Sequence, residues 1–350
     1  MAITSQVVSV RGLSINNVPR ELSKNIRVLE VFSMDRAFTT RDIWGGNEFT
    51  VRVRGINEAG RDNITCIINQ VMERGGLPTY YGYQRFGLKR PNSHIIGKYI
   101  ILGKFEEAIN ELLTHAYPTE PPRIREAREF IARTGNYAKA LELIPRGGYR
   151  YYPERAVLRH LSSNPRDFGN AIRKLPHELL TIYIEAYQSY IFNLALSERI
   201  GRNLPINMAV QGDMVVLLDE RGLPTRHMIH VNEAMTNKVN ELVKRSRAIP
   251  VAHLVGYSTK LLPGPQGDIE LEVLRREGGV DPSMFRVKSI PRLLIRGGGY
   301  RPLFIRPSIF NISISGNDLT LVFRLPRGGN YATVFLRELM KSGQPEVDFT

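Results

Sequence analysis

From Leu179 to Ile200 the chain reads Leu-Leu-Thr-Ile-Tyr-Ile-Glu-Ala-Tyr-Gln-Ser-Tyr-Ile-Phe-Asn-Leu-Ala-Leu-Ser-Glu-Arg-Ile, a helix apolar over more than half of its circumference. A helix with so narrow a polar face cannot lie on a surface, so other elements must surround it; it calls for a largely helical domain built about this segment. The neighbouring sequence supplies partners. Amphipathic spacing predicts helices over 93–114, 126–144, 155–164 and 232–245, with Pro118, Pro121 and Pro122 as a break. Met214 to Leu218 reads as a strand, and Pro263-Gly-Pro-Gln-Gly267 as a loop.

The two ends of the chain have a different period. Residues 2–10 are β-branched and partly alternating, residues 26–32 give a second strand, and residues 49–56 a third, with Ser14 to Ser23 irregular between the first two. Residues 61–74 place Ile64, Ile67, Ile68, Val71 and Met72 at helical spacing, and Gly75-Gly76 stops that helix. At the far end, 309–315 and 318–325 form a strand pair about Gly316-Asn317, and 331–341 a last helix with Ala332, Phe335, Leu336 and Leu339 inward. Strands at both ends and helices between them predict an α+β fold in which the terminal segments close one sheet around an inserted domain. Arg52 and Arg54 share a strand face with Thr50, either a solvated outer face or a basic edge that meets RNA.

Charge narrows the partners. The net charge is +14, and arginine outnumbers lysine by 37 to 11, so bidentate phosphate contacts and base stacking are available beyond simple attraction to a polyanion. No stretch approaches the ~20 apolar residues of a membrane helix, and no basic-then-apolar leader begins the sequence, which predicts a cytoplasmic protein with no membrane partner. The single cysteine, Cys66, excludes a disulfide within the chain and a cysteine metal cluster, and its Ile64-Thr-Cys-Ile-Ile setting predicts a small buried residue.

Residues 76–87, Gly-Leu-Pro-Thr-Tyr-Tyr-Gly-Tyr-Gln-Arg-Phe-Gly, are poor material for a core and good material for gripping a planar anion. The string Tyr81-Gly82-x-Gln84-Arg85-Phe86-Gly87 resembles the signature of the TruD family of RNA pseudouridine synthases. Further elements are similar to that family in the same order: Asn47-x-Phe49 after Gly45-Gly46, Glu185 to Asn193 with Ser197-Glu198-Arg199, Gly212-Asp213, and Gly329-Asn-Tyr-Ala-Thr333 through Leu339. The resemblance implies a pseudouridine-synthase-like mixed or antiparallel sheet flanked by helices, formed by 1–75 and 304–350, with a large, mostly helical α/β insertion over 76–303. It implies tRNA as the partner, the uridine at position 13 as the family's target, and no metal or small-molecule cofactor. By the same resemblance Asn47 helps to order the catalytic site, Phe49 frames the base pocket and Tyr331 lies beside it. Phe49, Phe86 and Tyr331 become candidate stacking platforms; Arg85 becomes a phosphate or base ligand, with Tyr81, Gln84, Arg52 and Arg54 further RNA contacts.

One departure concerns the nucleophile. The family's catalytic motif runs Gly-x-Lys-Asp-x-x-Ala-x-Thr-x-Gln, and Ala2, Thr4 and Gln6 fall on its last three fixed positions, so the aspartate would precede Met1. Asp35, Asp42, Asp62 and Asp213 are the alternative acids near matched segments, though the arginines adjacent to Asp35 and Asp62 suit a surface pair or a helix cap better. The readings are therefore a TruD-type synthase inactive as given, a catalytically silent RNA-binding protein, or half of a split enzyme. His227-x-x-His230 reads as a surface pair, Gly147-Gly148 and Gly297-Gly298-Gly299 as turns, and Trp44 as a packing anchor.

Overall fold

The computed structural model describes residues 3–33, 45–146, 151–297, 299–326 and 331–341. Its strands are β1 (Glu21–Ser23), β2 (Ile26–Arg27), β3 (Gly46–Val53), β4 (Leu77–Pro78), β5 (Met214–Leu218), β6 (Pro224–His230), β7 (Ala248–Leu254), β8 (Gly299–Pro302), β9 (Phe304–Ile305), β10 (Ser308–Ser315) and β11 (Asp318–Pro326). Its helices are α1 (Glu58–Glu73), α2 (Ser93–Ile101), α3 (Phe105–Leu113), α4 (Pro122–Thr134), α5 (Tyr137–Leu143), α6 (Tyr152–Ser163), α7 (Phe168–Ile172), α8 (His177–Gly201), α9 (Thr236–Lys244), α10 (Pro265–Arg276) and α11 (Ala332–Met340).

The long apolar helix is α8, and it is enclosed as its composition requires. Leu180, Ile184, Tyr187, Ile191 and Ala195 enter a core shared with α2 to α7 and α10. Within that core Arg128 is itself buried, its Nε shared between both oxygens of Glu120, at 2.9 and 3.1 Å, and its Nη2 on Glu154 at 3.1 Å. A buried guanidinium holds its place only when its donors are matched in this way. Gly103 and Gly135 take positive φ of 70° and 61°, so the runs expected over 93–114 and 126–144 are each split into two helices.

The chain ends build one antiparallel sheet in the order β10-β11-β3, with Phe323 opposite Phe49 and Leu325 opposite Asn47. Leu319, Leu321, Phe323 and Leu325 point inward from β11, and α1 and α11 cover them through Ile64, Ile68, Val71, Phe335 and Leu339. Asn57 caps α1, its side chain accepting from Gly60 N at 2.8 Å. Between the sheet and the helical core runs a short two-stranded neck: β4 pairs with β9, Leu77 opposite Ile305. A further antiparallel sheet, β6-β5-β7-β8, carries α9 on one face through Val215, Val239 and Val243. Phe192 and Leu196 of α8 pack with Ala252 of β7 in a separate cluster.

Several sequence expectations need correcting. Residues 3–10 form no strand: their side chains are exposed and no strand pairs with them among the described residues, and β-propensity without a pairing partner does not make a strand. Of the strand expected over 26–32 only Ile26–Arg27 is paired, with β1. Cys66 is exposed on the outer side of α1 rather than buried, because Ile64 and Ile68 define the inward face. The loop expected at 263–267 is the start of α10, where Pro265 occupies the first turn, a place proline tolerates. His227 and His230 are both exposed, as expected of surface residues, but they lie on β6, where residues three apart point to opposite faces.

Candidate functional site

The aromatic loop leaves the neck at Thr79, whose N–H donates to Leu303 O at 3.2 Å. From there α8 grips it with residues four apart, which a helix stacks along one face. Glu185 binds Arg85 Nη2 at 3.2 Å, and Ser189 Oγ accepts from Arg85 Nε at 3.0 Å. One turn on, Asn193 accepts from Tyr81 N at 2.8 Å and donates to Tyr81 O at 3.1 Å, so one carboxamide satisfies both backbone groups of that tyrosine. A last turn brings Ser197 Oγ to Tyr80 OH at 3.1 Å. The family-like motif of α8 and the family-like loop are thus the two sides of one contact.

Tyr81 is the centre of the assembly. Its ring meets Phe192 edge-on at 5.9 Å and lies 6.2 Å from Tyr331, which precedes α11. Arg301, on β8, places its guanidinium 4.0 Å from the Tyr81 ring centroid and donates from Nε to Thr79 O at 2.8 Å. Arg85 stands 5.8 Å from the same ring. Gly82 has no room for a side chain: a Cβ there would lie 2.9 Å from Thr333 Oγ1 and 3.0 Å from Tyr331 Cγ. Beside it Thr333 Oγ1 donates to Gln84 Oε1 at 3.2 Å, and Arg337 lies 5.6 Å from the Tyr83 ring. The loop is therefore clamped between α8 and the start of α11.

Burial raises the Tyr331 phenol above its ordinary value, against the pull of Arg85 and Arg301. Burial likewise lowers the Arg301 guanidinium. Both shifts mark a partly dry surface, where a cation beside an aromatic face is worth more than in water. Such a surface suits a planar base on a phosphate backbone.

The other expected site residues are dispersed. Phe49 stacks on Phe323 at 5.2 Å and belongs to the sheet's own core. Asn47 is exposed at the start of β3, beside Gly46 at φ 146°. Arg52 pairs with Asp318 at 2.8 Å and faces outward from β3, and Arg54 is exposed just beyond the end of that strand. Phe86 meets His94 and Tyr190 edge-on at 5.1 and 6.3 Å, so its ring wedges the loop against α2 and α8. Thr4 and Gln6 are exposed and hydrogen-bonded to each other at 3.4 Å, and among the described residues neither touches the aromatic cluster.

Among the acids, Asp213 is committed elsewhere. It is buried and accepts two bonds from Arg199, at 2.8 and 2.6 Å, while Arg199 also reaches Gln266 at 3.1 Å. Asp62 lies on α1. Asp35, Asp42, Trp44, Gly147-Gly148, Gly298 and Gly329 fall outside the described residues. Sequence reasoning missed Arg301, because Gly-Gly-Gly-Tyr-Arg-Pro reads as a turn; the signal was an arginine between a tyrosine and a proline after a glycine run. Among the described residues no three His, Cys, Asp or Glu side chains are grouped to hold a metal, and no helix is long and apolar enough to cross a membrane.

Comparison with known proteins matches this arrangement to one family. The family model for tRNA pseudouridine synthase D (TruD) matches residues 1–339. A probable tRNA pseudouridine synthase D of Methanopyrus kandleri is 38% identical over 343 residues, covering 97% of this chain and 76% of its own. One of Pyrobaculum islandicum is 36% identical over 344 residues, covering 98% and 75%. A crystal structure of tRNA pseudouridine synthase D from Methanosarcina mazei superposes with a TM-score of 0.77 at 34% identity, over 87% of this chain and 70% of that one. The motifs that α8, the aromatic loop and Tyr331 bring into contact are thus part of a likeness running almost end to end, and the chain belongs to the TruD family of tRNA pseudouridine synthases.

Proposed function

We propose that this chain binds tRNA at the surface formed by Tyr81, Arg85 and Tyr331, with Arg301 buried behind Tyr81, and that this surface is one wall of the pocket in which the family isomerises uridine to pseudouridine in the cytoplasm. The observation that carries the reading is the double grip of Asn193 on Tyr81, with Arg301 4.0 Å from its ring, inside a family match spanning residues 1–339. In this reading 1–75 and 304–350 form the catalytic part, with Asn47 at its rim, Phe49 in the sheet behind it and Thr4 and Gln6 leading toward it, and 76–303 the insertion. Gln84 and Phe86 hold the loop in shape, and Arg52 and Arg54 add charge at the outer strand.

The reaction breaks the bond from uracil N1 to ribose C1′, turns the base and joins C5 to C1′, after which C5 loses its proton and N1 gains one; a free carboxylate beside the sugar is required. Among the described residues, Glu185, which touches the loop, is held by Arg85, and Asp213 by Arg199. With a net charge of +14, the 350-residue polypeptide by itself is expected to bind tRNA with steep salt dependence, and it is expected to isomerise no uridine. Binding of an unmodified tRNA transcript measured from low to high salt, followed by nucleoside mass spectrometry, tests both halves. Affinity insensitive to salt would refute the first, and pseudouridine appearing in the transcript the second.

A further inference from the structure

Arg74 caps α1, and Arg245 caps α9; the chain then turns through Ser246, at φ 54°, to Arg247. Arg306, just beyond β9, ties these ends together. Its Nε donates to Gly75 O at 3.3 Å, its Nη2 to Val243 O at 3.2 Å and its Nη1 to Ser246 Oγ. A single guanidinium thus draws two helix ends into reach of one side chain, and Arg74, Arg245 and Arg247 flank it.

All three are exposed, and none has a carboxylate within ion-pair distance among the described residues. Glu241 is taken by Lys244 at 2.9 Å; Glu73 is the neighbour of Arg74 in sequence. Part of this charge answers the negative ends of α1 and α9, each worth about half an elementary charge. Four guanidinium groups against two such ends and Glu73 still leave about two positive charges on a small area. Glu241 also feels Arg245, but its charge is already matched by Lys244, so among the described residues the surplus remains.

The cluster's position gives it a use. Arg306 follows Arg301 by five residues of mostly extended chain, which at ~3.3 Å each puts its Cα about 17 Å or less from the Cα of Arg301, whose guanidinium lies beside Tyr81. We propose that Arg74, Arg245 and Arg247 are a second contact, to the phosphate backbone of the same tRNA, a short distance along the strand from the nucleotide held at Tyr81. This rests on the tRNA-binding reading above. Contacts of this kind fix orientation and carry no sequence information.

The test compares the unaltered 350-residue chain with the triple variants Arg74→Gln/Arg245→Gln/Arg247→Gln and Arg74→Lys/Arg245→Lys/Arg247→Lys, using one unmodified tRNA transcript over a salt series. For the glutamine variant the slope of log affinity against log salt is expected to flatten by about 2, with affinity at low salt at least ~10-fold weaker. The lysine variant is expected to keep the original slope. Slopes equal in all three proteins would overturn the proposal while leaving tRNA binding standing, and so would a lysine variant as weak as the glutamine one, since the arginines would then act through shape. If the unaltered chain fails to bind, the pocket reading and this one fall together.

Discussion

At the scale of single residues, charge beside aromatic faces recurs around the loop, and His94 shows what dryness does to a titrating group. Its ring lies 4.5 Å from Tyr190 and 5.1 Å from Phe86, its Nδ1 is buried without a partner, and burial pushes the imidazole down to about 4, against the opposing pull of Glu277 and Glu111. A folded-state value below the unfolded ~6.5 means that the unfolded chain binds the proton more readily. The contribution of His94 is therefore complete above about pH 6.5 and is lost as pH falls toward 4, on the order of 3 kcal/mol. Urea unfolding at intervals from pH 7 to 4 is expected to show this loss in the parent and not in His94→Phe; parallel curves would contradict it. Phe86, Arg85 and Tyr331 were legible in the sequence because motifs carry them, whereas Arg301 was not, since its role depends on a strand that a glycine run conceals.

Among the elements, α8 joins core and site. Its apolar residues fill the helical core while Glu185, Ser189, Asn193 and Ser197 hold the loop, so the composition that forced enclosure also fixes the site. Replacing Asn193 by leucine keeps the volume and leaves Tyr81 N–H and C=O unpaired, a cost of about 2 kcal/mol. Hydrogen exchange at the Tyr81 amide is expected to quicken well beyond that of α8 itself. Unchanged protection at Tyr81 would show that the carboxamide is not what holds the loop. Helices and the β10-β11 hairpin were readable from periodicity and from Gly316-Asn317. Strands β6, β7 and β8 were not, because their burial depends on α8 and α9 packing against them, and pairing, absent for 3–10, cannot be read from β-branching alone.

Across the whole molecule, stability is unevenly spread. Residues 3–33 bury little, with Ile3, Val8 and Leu29 at 101%, 79% and 74% exposure, while Arg128 lies inside the helical core at 1%. Limited trypsin digestion is expected to cut at Arg11, Arg20 and Lys24 long before Arg128, because local opening is cheap where few contacts are made. Simultaneous cleavage at both places would mean that the helical core opens as easily as the front segment. The outline of the fold, a sheet made by both chain ends around helices, was open to sequence reasoning because each segment keeps its own period. How the parts meet was not, since the neck is only two residues wide on each side. Because Leu77 and Ile305 lie side by side, the long segment between them leaves and rejoins the terminal sheet at one place, so a change in its length is absorbed without pulling the two ends of the sheet apart.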